Sequence, residues 1–223
     1  MKTTFTGLLA AVMFAMLAPR AQAETFEFLG QVIKLEPPAG LCAVGQTDLE
    51  KEYMKYRREM TKAAGALTQM AVACDQLAKF RAGEVDGFTW WAQVMVLKRE
   101  GQLYTSARTR ADFVNYVAGV SANEKIDYEE ANRRVEQQLS KVGASATMSD
   151  LVPLGVRDNV FFASMRMKFK EGDGPELPMN IIMAVTLARQ LPVTVQVYRT
   201  PNAGQVPLLK IASQYAAKVI ELN

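Results

Sequence analysis

Residues 159–200 read NVFFASMRMKFKEGDGPELPMNIIMAVTLARQLPVTVQVYRT. From Phe161, alternate positions carry Phe161, Ala163, Met165, Met167 and Phe169, with Ser164, Arg166, Lys168 and Lys170 between them. A period of two marks a strand with one covered face. Glu171-Gly172-Asp173-Gly174-Pro175 ends that strand with turn residues. Ile181, Met183, Val185 and Leu187 then interleave with Ile182, Ala184, Thr186 and Ala188. Both faces are mainly apolar, as in a central strand covered on two sides. Leu191-Pro192 makes a tight return, after which Val193, Val195 and Val197 alternate with Thr194, Gln196 and Tyr198. Short connections between successive strands predict an antiparallel meander.

The chain has 223 residues and opens with the pattern of an export leader. Lys2 supplies a positive start, Phe5 to Pro19 an apolar run, and Ala21-Gln22-Ala23 a small-x-small motif. The reading is a signal peptide over residues 1–23, cleaved between Ala23 and Glu24, followed by one α+β domain over 24–223. The apolar run is too short to span a bilayer as a helix. No later stretch approaches that length, so stable membrane insertion of the mature chain is not expected. The mature protein is expected to be periplasmic or secreted.

The formal net charge is +3, and Lys2 and Arg20 belong to the leader. The remainder is nearly neutral and offers no electrostatic case for nucleic acid. Cys42 and Cys74 are the two cysteines. In an oxidising compartment an even pair predicts a disulfide.

Outward from the meander, Phe26 and Phe28, then Val32, Ile33 and Leu35, then Leu41 to Val44 read as short strands around the Pro37-Pro38-Ala39-Gly40 turn. Thr47 and Glu50 form a capping box opening a helix. Its apolar face is read as Leu49, Tyr53, Tyr56, Met60, Ala63 and Leu67, and its basic ridge, Lys51, Lys55, Arg58 and Lys62, as a solvated face. Leu67 to Cys74 is a strand, Asp75 to Ala82 a short helix, and Phe88 to Lys98 a long strand with Trp90 and Trp91 on opposite faces. Thr109 caps a helix with Phe113, Tyr116, Val117 and Val120 inward, and Asp127 caps one that stops at Gly143. Gly143 to Asp150 reads as a loop. Beyond Pro207, Leu208, Ile211, Ala212, Tyr215, Val219 and Leu222 make the stripe of a last helix.

This order predicts an antiparallel sheet covered by helices on both faces. It resembles the PsbP-like α/β/α sandwich, through element order across most of the mature chain. Separately, Leu35-Glu36-Pro37-Pro38-Ala39-Gly40-Leu41-Cys42 looks like the proline-glycine-x-cysteine start of uncharacterised exported bacterial proteins. Both resemblances imply an exported accessory protein, and neither supplies a functional residue.

The chain contains no histidine. Ser-His and Cys-His nucleophile pairs and histidine metal clusters are therefore excluded. No Ser-x-x-Lys, Gly-x-Ser-x-Gly, P-loop or Gly-x-Gly-x-x-Gly motif occurs. Asp127, Glu129 and Glu130 suit a helix start. Glu171, Asp173 and Glu176 suit a solvated hairpin better than a calcium loop, and Glu84 and Asp86 flank a turn. Trp90 and Trp91 fit a core or a partner surface. Tyr104, Arg108 and Arg110 fit an exposed connection or an anion site. No catalytic residue, metal or cofactor is assigned. Two functions remain: a non-catalytic binding or assembly module with a protein partner in the cell envelope, and a carboxylate-dependent hydrolase acting on glycan or envelope substrate.

Overall fold

Alternating apolar residues build most of the strands in the computed structural model, which describes residues 23–123 and 127–223. Of the predicted leader, residues 1–23, all but Ala23 lie outside the described part. In chain order the strands and helices are β1 (Glu24–Phe28), β2 (Gln31–Leu35), β3 (Leu41–Ala43), α1 (Asp48–Thr61), β4 (Gly65–Ala73), α2 (Cys74–Arg81), β5 (Trp90–Arg99), β6 (Gln102–Leu103), α3 (Arg110–Asn123), α4 (Tyr128–Leu139), β7 (Ala144–Arg157), β8 (Val160–Glu171), β9 (Leu177–Ala188), β10 (Leu191–Arg199) and α5 (Leu208–Leu222). The main sheet runs β3-β4-β5-β10-β9-β8-β7, with β6 paired to β5 and every pairing antiparallel. Residues 159–200 form the three-strand meander that their alternation predicts.

Helices cover both faces, giving the α/β/α sandwich. On one face α5 and the β1–β2 hairpin bury Ile33, Leu35, Val94, Val195, Ala212 and Tyr215. The other face carries α1 and α2 over Met70, Val72 and Trp91, α3 over Phe161 and Leu187, and α4 over Ala144 and Ala146. The Tyr215 hydroxyl donates to Gln69 Oε1 inside the core, and Gln69 Nε2 donates to Glu24 Oε2 at 2.9 Å. These bonds tie the last helix and the first strand to β4.

Three local readings are corrected. Residues 144–157 form strand β7, although 143–150 read as a loop. Their small residues pair with β8 through two register shifts, with Asp150 at φ 53° and Gly155 at φ 99°. Such bulges erase simple alternation. Helix α1 is rotated from its expected face: Leu49 is 49% exposed, while Glu50, Met54 and Arg57 are buried. In α3 the buried pair is Phe113 and Val114, and Tyr116 is 49% exposed.

The rotation of α1 has a chemical cause. The Glu50 side chain is 0% exposed. It accepts from the Gly45 N–H at 2.7 Å, the Gln46 N–H at 2.9 Å, the Thr47 hydroxyl at 2.9 Å and Arg81 Nε at 2.6 Å. Charged hydrogen bonds of this kind offset the desolvation of a buried carboxylate. Arg81 ends α2, whose first residue, Cys74, is disulfide-bonded to Cys42 of β3. The bridge closes a sequence separation of 32 residues. Chain entropy assigns a loop of that length about 3.7 kcal/mol. One end of α2 is thus fastened to β3 and the other to the first turn of α1.

Burial pushes the Glu50 pKa up, but Arg81, the two backbone donors and Thr47 outweigh it and hold the value at about 2. A carboxyl lowered in the folded state stabilises the fold above its unfolded value, and that contribution fades as pH falls toward the folded one. Glu50→Gln is expected to cost about 3 kcal/mol at pH 7. Between pH 4.5 and about 2, the window set by the ordinary and folded values, the variant should lose less stability than the wild type. Urea unfolding at pH 7 and pH 3 measures both effects, and equal losses on acidification would assign the acid sensitivity elsewhere.

Candidate functional site

The face under α1–α4 contains a polar row where a core would be apolar. Cross-strand register aligns Met70, Gln93, Gln196, Met183 and Ala163 across five strands. The flanking rows hold Trp91, Tyr198, Ile181 and Met165 on one side, and Met95, Thr194, Val185 and Phe161 on the other. Gln196 lies on β10, the middle strand of the seven, yet it is half-buried, as are Met183 and Met165 on the next two strands. The helical layer therefore covers the centre of the sheet incompletely, with an opening at the level of these three half-buried side chains.

Arg57 projects into this region from α1. It is 9% exposed, and its guanidinium carbon sits 4.6 Å over the Trp91 ring. Trp91 in turn stacks on Tyr198, with ring centroids 4.8 Å apart and planes 10° apart. Arg57 Nε has no hydrogen-bond acceptor. Among the described residues no carboxylate lies within ion-pair distance of Arg57. Three more buried atoms on this face lack partners: Trp91 Nε1, Gln93 Oε1 and Thr194 Oγ1. Buried polar atoms are nearly always paired, so four on one sheet face mark a place prepared for something else. Gln93 Nε2 donates to Gln196 Oε1 at 3.0 Å and to the Tyr198 hydroxyl at 3.1 Å. Burial pushes Tyr198 up to about 12, against the pull of Arg57, so it stays a neutral phenol.

Two grooves lie elsewhere. A groove of about 590 Å³, lined by Asp150, Val152, Ser164, Arg166, Asn180 and Leu208, opens where the first turn of α5 stops short of β7 and β8. Another of about 450 Å³ lies between β1 and the start of α1, against Glu24, Phe26, Lys51 and Arg58. Neither is lined by a buried, unpartnered polar atom.

The sequence candidates disperse. Asp127 caps α4 by accepting from the Glu130 N–H, and Glu130 is held by Arg133 and Arg134. Glu171 accepts from the Tyr56 hydroxyl at 2.7 Å, while Glu176 pairs with Lys168 at 3.3 Å. Asp173, Glu84 and Asp86 face solvent. Arg110 donates to the Leu187 carbonyl and Arg108 lies over Tyr116, so these two and Tyr104 do not assemble an anion site. Trp90 and Trp91 do take opposite faces, and only Trp91 joins the polar row. Among the described residues no cluster of three or more His, Cys, Asp or Glu is placed to hold a metal. Arg57 was outside every sequence candidate. Its signal is its spacing from Glu50 and Met54, which sets it apart from the basic ridge.

No protein-family model matches the sequence, and no curated protein matches it. Among solved structures, the solution structure of cyanobacterial PsbP (CyanoP) from Synechocystis sp. PCC 6803 aligns with 91% of this chain and 94% of its own, at 10% identity and a TM-score of 0.39. At that overlap, function has to come from this chain's own residues.

An opening over the sheet predicts a pattern of chemical access. A Gln196→Cys thiol in the folded protein should react with a bulky maleimide at close to the rate of an exposed thiol. Val195→Cys, one position along on the opposite, α5-covered face, should react about a hundredfold more slowly, because its site is reached only by opening of the fold. Equal protection of the two thiols would mean that the helical layer is closed.

Proposed function

We propose that this is an exported, non-catalytic binding module of the cell envelope, and that its ligand or partner docks in the opening over β5, β10 and β9. The observation that carries the reading is Arg57, a buried cation with an aromatic face beneath it and no counter-charge among the described residues. A buried guanidinium N–H without an acceptor is costly, so its retention makes sense where a ligand completes it. The acids that a hydrolase would need are occupied as caps and ion pairs or face solvent, which favours binding over chemistry. Export is supported by the leader pattern, by the Cys42–Cys74 disulfide, and by β1 starting at Glu24, directly after the small-x-small motif. Among the described residues no helix is long and apolar enough to cross a membrane.

Native mass spectrometry of protein taken from the periplasmic fraction tests both parts. The polypeptide mass should correspond to a chain starting at Glu24, and the wild type should carry a stoichiometric non-covalent companion. Gln196→Trp, which fills the opening, should lose it. A bare protein in both samples would contradict binding, and a polypeptide retaining residues 1–23 would contradict export.

A further inference from the structure

Resting on that reading, we infer that the opening recognises the carboxyl-terminal residue of a peptide chain: one carboxylate on Arg57, the adjoining amide N–H on Gln93, and an apolar side chain on the methionines. Three observations lead to this class of ligand.

The first is the guanidinium. Arg57 uses one face against Trp91, and no protein acceptor takes its in-plane N–H groups among the described residues. A planar fork of donors matches a carboxylate or a phosphate in a bidentate pair. Charge decides between them. The basic neighbours Lys55 and Arg58 on α1 are exposed while Arg57 is buried over Trp91, so α1 brings one positive charge to the site. A phosphate group carries about −1.5 to −2 at pH 7 and would leave negative charge buried beside a neutral Tyr198. A carboxylate balances the site with none left over.

The second is the mixed polarity of the unpaired atoms. Trp91 Nε1 is a donor that can join the carboxylate, whereas Gln93 Oε1 is an acceptor that a simple carboxylate leaves empty. Trp91 and Gln93 are two apart on one strand, so their backbones are about 6.6 Å apart along it. A ligand with an N–H next to its carboxylate serves both positions, which is the arrangement at a peptide C-terminus and not in a fatty acid. Gln196 and Met183 form the half-buried cover of this row, and turning them aside takes only side-chain rotations.

The third is the apolar surround. Met165 and Met183 are half-buried at the opening, Met70 lies buried at the end of the polar row and Met95 in the row beside it. Flexible thioether side chains accommodate an apolar group of varied shape.

Calorimetric titration of the protein expressed from its full chain, with four probes, tests the inference. The probes are N-acetyl-Ala-Ala-Leu with a free carboxylate, the same peptide as its C-terminal amide, octanoate and octyl phosphate. The free-acid peptide is expected to bind at least about ten-fold more tightly than each of the others. Arg57→Gln should abolish its binding, and Arg57→Lys, which keeps the charge but not the fork, should weaken it about ten-fold. Thermal melts of both variants establish that they are folded, and the free-acid peptide should raise the melting temperature of the wild type alone among the wild type and Arg57→Gln. Equal binding of acid and amide, or undiminished binding by a folded Arg57→Gln or Arg57→Lys, overturns the inference. Tighter octanoate binding overturns the peptide class and tighter octyl phosphate the carboxylate. A companion seen by native mass spectrometry alongside failure of all four probes overturns this inference and leaves the binding reading intact. A bare protein that binds no probe overturns both.

Discussion

A buried carboxylate sets the geometry of one whole side of this molecule. Glu50 sits in the first turn of α1 and collects donors from the preceding loop and from the far end of α2. The disulfide fixes the near end of α2 to β3. Together they leave α1 little freedom to turn about its axis. With Glu50 inward, helical spacing sends Met54 and Arg57 inward too. The same constraint that seats the helix therefore places a cation over the sheet.

That cation meets a sheet prepared to receive it. The strands of this face are apolar at both ends and polar across the middle, through Gln93, Thr194 and Gln196. Trp91 offers its ring to the guanidinium, an attraction that grows as water is excluded. It does not replace a counter-charge, and the unpaired atoms beside it add desolvation that the fold recovers nowhere else. Local departures from good core chemistry are characteristic of sites kept for function at some expense in stability. On the opposite face, beneath α5, the buried Gln69, Tyr215 and Thr186 have hydrogen-bond partners among the described residues.

Much of the architecture was legible because it depends on period. The meander at 159–200, the β1–β2 pair, the capping box at Thr47 and the stripe of α5 all follow from alternation or helical spacing. Strand β7 was not legible, since two bulges, Pro153 and a run of small residues hide its alternation. The face of α1 departs from its hydrophobic pattern for a different reason. Hydrophobicity favours burying Leu49 and exposing Glu50 and Arg57, and a local network of charged hydrogen bonds reverses that order. Gln93, in the middle of the run Trp91-Ala92-Gln93-Val94-Met95, carries no sequence signal that separates it from a strand residue facing solvent. Its meaning emerged only when the register set it beside Gln196 and the rotated helix brought Arg57 to the same face.

On this reading Arg57 is a cation whose unpaired N–H the free protein leaves uncompensated. Equilibrium urea unfolding of Arg57→Met without ligand measures this directly, because methionine preserves the apolar length of the side chain and removes the charge. The variant is expected to be at least as stable as the wild type, with a gain of up to about 4 kcal/mol, as when a buried ionic group is replaced by an apolar one of similar volume. A loss of about 3 kcal/mol or more, the cost of breaking a compensated buried pair, would show that Arg57 already has its partner within the fold.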